Sequence, residues 1–210
     1  GRANKGALKD TRPEDLAALV IREAVARAGM DPVEVEDVIM GCALPQGEQG
    51  MNIARIASFL AGLPHQTAAV TVNRFCSSGA QAIVYAAQSI AAGFAEVVVA
   101  GGVESMSRVP MRATYQPHPG LLRDFPDAYV PMGLTAENVA RQYGIRREDQ
   151  DAFACASQRK ALTAWETGRF REQIVPVETT VMVPREDATE ESRPVTLARD
   201  ECPRPDTSPE

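Results

Sequence analysis

The sequence predicts an α/β fold with parallel strands, followed by a mostly helical region, and three observations lead to this prediction. Helical and strand-like patterns alternate three times within residues 11–104, an order typical of βαβ units with right-handed crossovers. The strand-like runs at residues 70–72 and 97–100 carry apolar side chains on both faces, as parallel strands covered on both sides do. Beyond Ser107 prolines become frequent, and two long helical patterns come next.

Composition narrows the class of protein. The 210 residues are 44% hydrophobic and 24% charged, which is ordinary for a soluble globular chain with a sizeable core. A net charge of −6 does not suggest a surface for nucleic acid. No apolar run reaches the length of about 18 residues that spans a membrane. We therefore expect neither nucleic acid binding nor membrane insertion.

The cysteines are widely spaced and form no C-x-x-C pair. This spacing predicts free thiols in a reducing, cytoplasmic compartment, with no metal cluster and no disulfide framework. The cysteines are Cys42, Cys76, Cys155 and Cys202.

The first helix is predicted over residues 11–29. Thr11 and Glu14 have the spacing of a capping box, in which a hydroxyl and a carboxylate satisfy unpaired N–H groups at the helix start. Apolar residues recur at helical spacing through its middle, and Gly29 supplies the stop.

A strand and a second helix follow. Residues 35–43 are predicted to form a strand because they have a short apolar centre, and a glycine-rich loop comes after them. Asn52 is expected to cap the second helix, whose apolar residues point one way until Gly62 and Pro64 end it.

The chain is organised around residues 68–104, which form a strand, a helix and another strand. Cys76 stands where the first strand passes into the helix. The helix over residues 77–92 has no charged residue, so we expect it to be buried and to hold Cys76 rigidly. Unpaired N–H groups and the helix dipole favour a thiolate at this position, which predicts a nucleophile. The alternative, judged from position alone, is an inert packing cysteine.

The region beyond Ser107 differs in composition from the residues before it. Residues 108–131 contain five prolines and are expected to be irregular. Helices are predicted over residues 133–143 and 147–167. Arg146 stands before the second of these helices, at the position where Ser or Thr usually forms the N-cap. The missing cap is expected to cost about 1 kcal/mol of local helix stability. That helix is expected to turn the following side chains inward: Phe153, Ala156, Leu162 and Trp165.

Short strands are predicted at residues 174–177 and 181–183. The tail from Pro184 is charged and rich in proline, and both a hairpin flap and disorder fit this composition. We place the domain boundary so that residues 1–110 form an α/β core and residues 111–210 form a mostly helical cap.

Five motifs occur in collinear order along the chain. They are VNRFCSSGAQAIVYAAQSIAAG (72–93), EVVVAGGVESMS (96–107), PMGLTAENVA (131–140), REDQDAFA (147–154) and DECPRPDT (200–207). Together they resemble the thiolases, the family of acetyl-CoA acyltransferases and 3-ketoacyl-CoA thiolases. The resemblance implies a layered α/β/α/β/α fold of two similar halves, with a loop domain inserted in the first. The chain would correspond to the first half without its opening strand, plus most of the loop domain.

The resemblance also implies roles for individual residues. Cys76 would attack the keto carbon of a 3-ketoacyl-CoA and hold the acyl group as a thioester, with its own N–H as a candidate oxyanion donor. Arg204 and Thr207 would contact CoA, and Met132 would line the acyl channel. CoA and acyl-CoA are expected as substrates rather than tightly bound cofactors, and the family implies a homodimer or homotetramer.

Two departures from the family pattern qualify these expectations. Pro131 stands where short-chain biosynthetic members commonly have histidine, which favours a degradative enzyme; a biosynthetic acetoacetyl-CoA thiolase is the alternative. The histidine and second cysteine of the family's other half have no counterpart in this sequence. The chain alone is therefore expected to be inactive, and a non-catalytic CoA-binding or dimerising fragment is a further alternative. His65 and His118 are expected on the surface, and Cys42 and Cys155 in packing positions.

Overall fold

A computed structural model of the chain describes residues 1–111, 116–185 and 189–208, and contains both helices and strands. The helices are α1 (Pro13–Ala28), α2 (Ile53–Leu60), α3 (Ser78–Ala91), α4 (Pro119–Asp124), α5 (Met132–Tyr143) and α6 (Arg147–Glu166). The strands are β1 (Asp37–Gly41), β2 (Ala68–Val72), β3 (Val98–Gly102), β4 (Val177–Pro184) and β5 (Glu190–Leu197). Short 3₁₀ turns lie at Pro32–Glu34, Gly47–Gln49 and Pro126–Tyr129. The predicted order of helix and strand through residue 102 is confirmed.

The chain divides into two compact units. Unit 1 comprises Gly1–Ala113 and Val175–Glu201, and unit 2 comprises Thr114–Ile174 and Cys202–Glu210. The segment that contains β4 and β5 thus packs with the first unit. The prediction of functional domains at residues 1–110 and 111–210 stays a prediction.

Strands β1, β2 and β3 of unit 1 form a parallel sheet in the order β2-β1-β3. The central strand, β1, pairs Asp37 with Ala68 on one side and with Val98 on the other. Parallel pairing was predicted from the βαβ alternation, and it places the carboxyl ends of all three strands at one edge of the sheet.

One face of the sheet is closed by α1 and α2. Because successive side chains of a strand point to opposite faces, Val38 and Met40 of β1 both face these helices. Ile21 of α1 is only 2% exposed. This side holds the main core, whose buried residues are Ala17, Ala18, Ile21, Val25, Val35, Val38, Met40, Ala54, Ala57, Ala61 and Leu63.

The other face of the sheet packs against α3, and here the prediction of a buried helix is wrong. Ala82 and Ala86 contact Ile39 of β1 in a small second cluster. The opposite side of α3 is not covered by any described residue of unit 1, because a single helix can turn only one stripe of side chains towards a sheet. Ile83, for example, is 59% exposed. We call this side the outer face of α3: Ala80, Ile83, Val84, Ala87, Ile90 and Ala91, each exposed or half-buried.

The flanking strands are also more open than expected. Val70 of β2 is exposed and β3 is only half-buried, whereas β1 is almost entirely buried. The prediction that the runs in β2 and β3 are covered on both faces is therefore wrong for the described residues, because the main core closes one face only.

The helix starts differ from the sequence expectations in two places. The Thr11 capping box is wrong: α1 begins at Pro13, and the Thr11 hydroxyl is hydrogen-bonded to the Thr179 hydroxyl at 2.6 Å. Asn52 does occupy the residue before α2, but its side chain makes no cap. Instead the Thr71 hydroxyl of β2 accepts from the N–H of Ala54 at 3.2 Å.

The predicted stop of the first helix is confirmed. Gly29 follows α1 with φ +67°, and its N–H donates to the carbonyl oxygen of Ala26. A left-handed residue after a helix is accommodated best by glycine, which lacks a Cβ.

Strands β4 and β5 form an antiparallel hairpin, pairing Val177 with Leu197 at its open end. The hairpin interpretation of the tail from Pro184 is thereby confirmed for the described residues, while residues 186–188 lie outside them. The hairpin is attached to the start of the chain: besides the bond from Thr179, the N–H of Met182 donates to the Asp10 carboxylate at 3.3 Å.

Unit 2 contains α4, α5 and α6, and α5 and α6 match the predicted helices closely. The inward placement of Phe153 is wrong, since its side chain is 77% exposed, whereas Ala156, Leu162 and Trp165 are half-buried. The start of α6 is satisfied in an unexpected way: the Asp149 carboxylate accepts from the backbone N–H of Arg146 at 3.2 Å. The predicted irregular segment contains α4, and its residues 112–115 lie outside the described part of the chain.

Candidate active site

Cys76 lies in the turn between β2 and α3, at the carboxyl edge of the parallel sheet. It precedes the first residue of α3, Ser78, by two positions, and its side chain is exposed. The prediction that it stands between strand and helix is therefore confirmed. In open parallel sheets, the crevice outside the carboxyl ends of the strands is where ligands bind.

The turn that carries Cys76 is held by two side chains. Asn73 Oδ1 accepts from the N–H of Phe75 at 2.9 Å, and Asn73 Nδ2 donates to the carbonyl oxygen of Ala43 at 3.1 Å. Ser78 Oγ accepts from the N–H of Arg74 at 2.8 Å and donates to the carbonyl oxygen of Phe75 at 2.6 Å. Sequence reasoning missed both residues, although asparagine before a turn is a recognisable signal.

The backbone N–H of Cys76 is available to a ligand. The next two N–H groups, of Ser77 and Ser78, donate to the carbonyl oxygens of Arg74 and Phe75. Within the described residues, the N–H of Cys76 itself has no acceptor. An exposed thiol with its own N–H unused can attack a carbonyl carbon and donate to the oxygen that becomes negative.

Glycines bring the start of α3 close to the sheet. A Cβ at Gly41, the last residue of β1, would collide with the backbone of Ser78 and Gly79. A Cβ at Gly102 of β3 would lie 3.4 Å from the Cα of Gly79. Glycine at these strand ends therefore allows the helix start to approach the carboxyl edge of the sheet.

The remaining cysteines occupy other environments. Cys42, directly after β1, is 1% exposed, and burial together with the nearby Glu104 carboxylate raises the pKa of its thiol to about 11. Cys155 is buried in α6, and Cys202 is exposed in unit 2. The predicted packing positions of Cys42 and Cys155 are confirmed.

A polar network that the sequence analysis did not identify lies at the same edge of the sheet. The Glu104 carboxylate accepts from the N–H of Ala43 and from the side chain of Gln49, both at 2.6 Å. Gln49 is fully buried and also donates to the carbonyl oxygen of Leu44. Glu104, two residues after the end of β3, was the available signal. This network fixes Ala43, whose carbonyl oxygen accepts from Asn73.

The other predicted site residues belong to unit 2. Met132 is the first residue of α5 and is 73% exposed. Arg204 and Thr207 share one loop, which is attached to α6 where the N–H of Arg204 donates to Gln158 Oε1 at 2.8 Å. The Arg204 side chain is exposed and has no ion-pair partner in the described part of the chain. His65 and His118 are both exposed, as predicted.

Two kinds of feature are absent from the described residues. No cluster of three or more His, Cys, Asp or Glu side chains there could hold a metal ion. No helix of that part of the chain has both the length and the apolarity needed to cross a membrane.

Comparisons with known proteins agree in their result. The chain matches the family model described as Thiolase, N-terminal domain, over residues 1–210. It is 46% identical to a 3-ketoacyl-CoA thiolase of Bacillus subtilis, over 99% of this chain and 54% of that protein. It is 44% identical to a 3-ketoacyl-CoA thiolase of Photobacterium profundum, over 85% of this chain and 46% of that protein.

A solved structure is similar as well. The crystal structure of the Bacillus anthracis acetyl-CoA acetyltransferase superposes with a TM-score of 0.80 at 40% identity, over 97% of this chain and 52% of that one. The chain thus spans about half the length of the curated relatives that it matches.

Proposed function

The chain belongs to the thiolase family, whose N-terminal domain it matches, and on this premise we propose that it serves the thiolytic cleavage of 3-ketoacyl-CoA with Cys76 as nucleophile. The products would be acetyl-CoA and an acyl-CoA shortened by two carbons. The family relationship and the exposed thiol at the carboxyl edge of a parallel sheet support this proposal.

The proposed reaction has two acyl transfers. The Cys76 thiolate attacks the keto carbon, a C–S bond forms, and the bond between the keto carbon and its neighbour breaks. The electron pair leaves on acetyl-CoA as an enolate, which takes up a proton. The thiol of free CoA then attacks the thioester, releases the acyl group as acyl-CoA and restores Cys76. Covalent catalysis of this kind replaces one difficult carbon–carbon cleavage with two easier steps.

The observation that carries the proposal is the contrast between Cys76 and the buried cysteines. Cys76 is exposed beside an unused N–H, whereas Cys42 is closed off and held as a thiol at neutral pH by its raised pKa. A nucleophile must reach its substrate as a thiolate, so burial with a raised pKa makes Cys42 a poor candidate. The proton transfers that complete turnover are assigned by the family resemblance to residues outside these 210.

CoA and acyl-CoA are the proposed ligands of unit 2. Arg204 would pair with phosphate groups of CoA, which suits its exposed guanidinium, and Thr207 of the same loop would add a hydroxyl. Met132 would contribute a soft, adaptable wall to the acyl channel. Pro131 before Met132 favours the degradative over the biosynthetic direction. We also propose a reducing, cytoplasmic location for the protein.

A second candidate function is association with another copy of the chain, as a dimerising module. The observation that favours it is the outer face of α3, which is uncharged and largely exposed. Such a face is rare on a protein that stays monomeric in water. A homodimer or homotetramer would also agree with the family expectation, and this candidate does not exclude catalysis.

Cysteine labelling tests the proposed function. We expect iodoacetamide at neutral pH to modify Cys76 before Cys42, Cys155 and Cys202, as read by peptide mass spectrometry. Prior incubation with acetoacetyl-CoA should slow the labelling of Cys76 and leave that of Cys202, an exposed thiol, unchanged. Reaction of the other three ahead of Cys76 would contradict the proposal.

The CoA contacts need a separate measurement. Arg204→Ala should weaken CoA binding about tenfold in calorimetric titration, the loss expected for one charge-assisted contact. Arg123→Ala is the control, since Arg123 is already paired with Asp124 at 2.7 Å. Equal affinities of both variants and the wild type would remove Arg204 from the site.

A further inference from the structure

The turn before α3 contains a residue in an unfavourable conformation. Phe75, directly before Cys76, has φ +48°. Large side chains rarely adopt this left-handed region, since the Cβ then approaches the following carbonyl oxygen at a cost of roughly 1–2 kcal/mol. Other interactions must therefore hold Phe75 in place.

Asn73 supplies the interaction that joins Phe75 to the sheet. Its Oδ1 accepts from the N–H of Phe75 at 2.9 Å, while its Nδ2 donates to the carbonyl oxygen of Ala43, just beyond β1, at 3.1 Å. The Asn73 side chain thus bonds within the turn that carries Cys76 and also connects this turn to the segment that follows β1. Ser78 adds a bond to the carbonyl oxygen of Phe75 from the side of α3.

The next peptide group after this strained residue contains the N–H of Cys76. Its direction depends on the φ and ψ angles of Phe75, because the peptide unit is planar. If Phe75 relaxed to a negative φ, the N–H of Cys76 would turn away from its present direction. The thiol would stay exposed, but its relation to the nearest oxyanion donor would be lost.

We propose that Asn73 is a positioning residue for acyl transfer, which holds Phe75 left-handed and thereby aims the N–H of Cys76 at the developing oxyanion. The inference rests on the proposed role of Cys76 as nucleophile. Asn73 itself touches no reacting atom and acts through the backbone.

Two reagents separate this role from a general effect on the fold. p-Nitrophenyl acetate acylates a thiolate through a tetrahedral oxyanion: a C–S bond forms, the C–O bond breaks, and nitrophenolate leaves with the electron pair. Iodoacetamide alkylates the same sulfur by direct displacement of iodide, with no oxyanion at all. The ratio of the acylation rate to the alkylation rate at Cys76 therefore depends on the oxyanion donor. Changes in the exposure or ionisation of the thiol affect both rates and leave the ratio unchanged.

Asn73→Ala should lower the ratio of acylation to alkylation at Cys76 about tenfold, the loss expected for a misaimed oxyanion donor. Asn73→Asp keeps an acceptor for the N–H of Phe75 and loses only the donation to Ala43, so most of the ratio should return. Asn52→Ala is the matched control. Asn52 is also left-handed, at φ +59°, and also bonds a strand, through the carbonyl oxygen of Ala69, but it lies before α2.

The outcomes are distinguishable. An unchanged ratio in Asn73→Ala, or an equal fall in Asn52→Ala, would overturn the positioning role. Failure of both reagents to modify Cys76 in the wild type would instead overturn the proposed nucleophile. Cys42 serves as the fold reporter in every sample, because a thiol that is 1% exposed stays unmodified only while the core is intact.

Discussion

The two faces of the parallel sheet in unit 1 are built differently. The face towards α1 and α2 is closed over a large core, in which Val38 and Met40 of β1 are fully buried. The face towards α3 has a buried cluster of three residues, and the outer face of α3 is open. Yet α3 is free of charge along its whole length, whereas α1 carries charged residues throughout.

The contrast shows what an apolar helix pattern does and does not specify. Hydrophobic burial depends on the area removed from water and has no direction. An uncharged helix therefore indicates that burial of its surface is favourable, but it does not identify the segment that buries it. The amphipathic pattern of α1 contains more information, since its charged side marks the solvent and its apolar side marks the sheet. Four experiments test how far the two faces differ.

The largest effect is expected from matched isoleucines on the two sides. Ile21→Ala should lower the free energy of unfolding by about 2–5 kcal/mol, since it opens a cavity in the closed core. Ile83→Ala on the outer face of α3 should change it by no more than about 0.5 kcal/mol at dilutions where the chain is monomeric, since that side chain is 59% exposed in the single chain. Urea denaturation measures both. Similar losses would show that the outer face is covered in solution.

The next effect concerns the contact between α3 and the sheet. Gly41→Ala should cost about 3 kcal/mol in urea denaturation, because its Cβ would collide with the backbone of Ser78 and Gly79. Gly79→Ala is the control: a Cβ there meets nothing within 4 Å, and alanine favours the helix by up to about 1 kcal/mol. A neutral Gly41→Ala would mean that α3 can move off the sheet at little cost.

A pH-dependent effect should appear at Cys42, the enclosed thiol at the edge of the sheet. Its pKa is raised from 9.0 to about 11 in the folded chain. The unfolded state therefore loses the proton first as pH rises, and this thiol should cost stability between pH 9 and 11, by roughly 3 kcal/mol in all. Below pH 9 the folded and unfolded states both keep the proton, so Cys42 makes its full contribution to the free energy of unfolding.

Comparison of variants isolates that contribution from other alkaline titrations. Cys42→Ala should show a flatter fall in unfolding free energy between pH 9 and 11 than the wild type. Cys155→Ala, which also removes a buried thiol, controls for the loss of packing. Parallel profiles for the wild type and Cys42→Ala would contradict the assignment.

The smallest effect on the stability of a single chain is expected from a charge on the open side. Ile83→Asp should leave the unfolding free energy nearly unchanged but reduce any self-association seen by sedimentation velocity, because a carboxylate in an apolar interface must lose its hydration. Val33→Asp provides the control at a position that is 68% exposed and lies outside α3. Equal association of the two variants would exclude the outer face of α3 as the contact.

Local chemistry explains which sequence predictions were correct. Gly29 ends α1 because a left-handed residue is needed there, and Cys76 stands between strand and helix because the change of hydrophobic period marks that point. The asparagine turn at Asn73 was equally local and could have been found. Its second bond, to Ala43, could not, because it depends on β1 and β2 being neighbours.

The failed predictions share a different cause. The Thr11 hydroxyl is hydrogen-bonded to the Thr179 hydroxyl and forms no cap, and the Thr71 hydroxyl accepts the N–H bond at the start of α2 that Asn52 was expected to accept. In each case a partner distant in sequence replaces the expected local hydrogen bond, and the spacing of neighbouring residues cannot predict that partner.

The alternation of elements, the parallel sheet, the family and the place of Cys76 follow from the amino-acid sequence alone, because periodicity, turn chemistry and motifs all act over short stretches of chain. Three features became visible only in the fold: which face of the sheet is closed, the open outer face of α3, and the bond by which Asn73 joins the turn of Cys76 to the segment after β1. Burial and hydrogen bonding depend on segments far apart along the chain, and many chemically equivalent partners exist for each group until the fold brings one of them close.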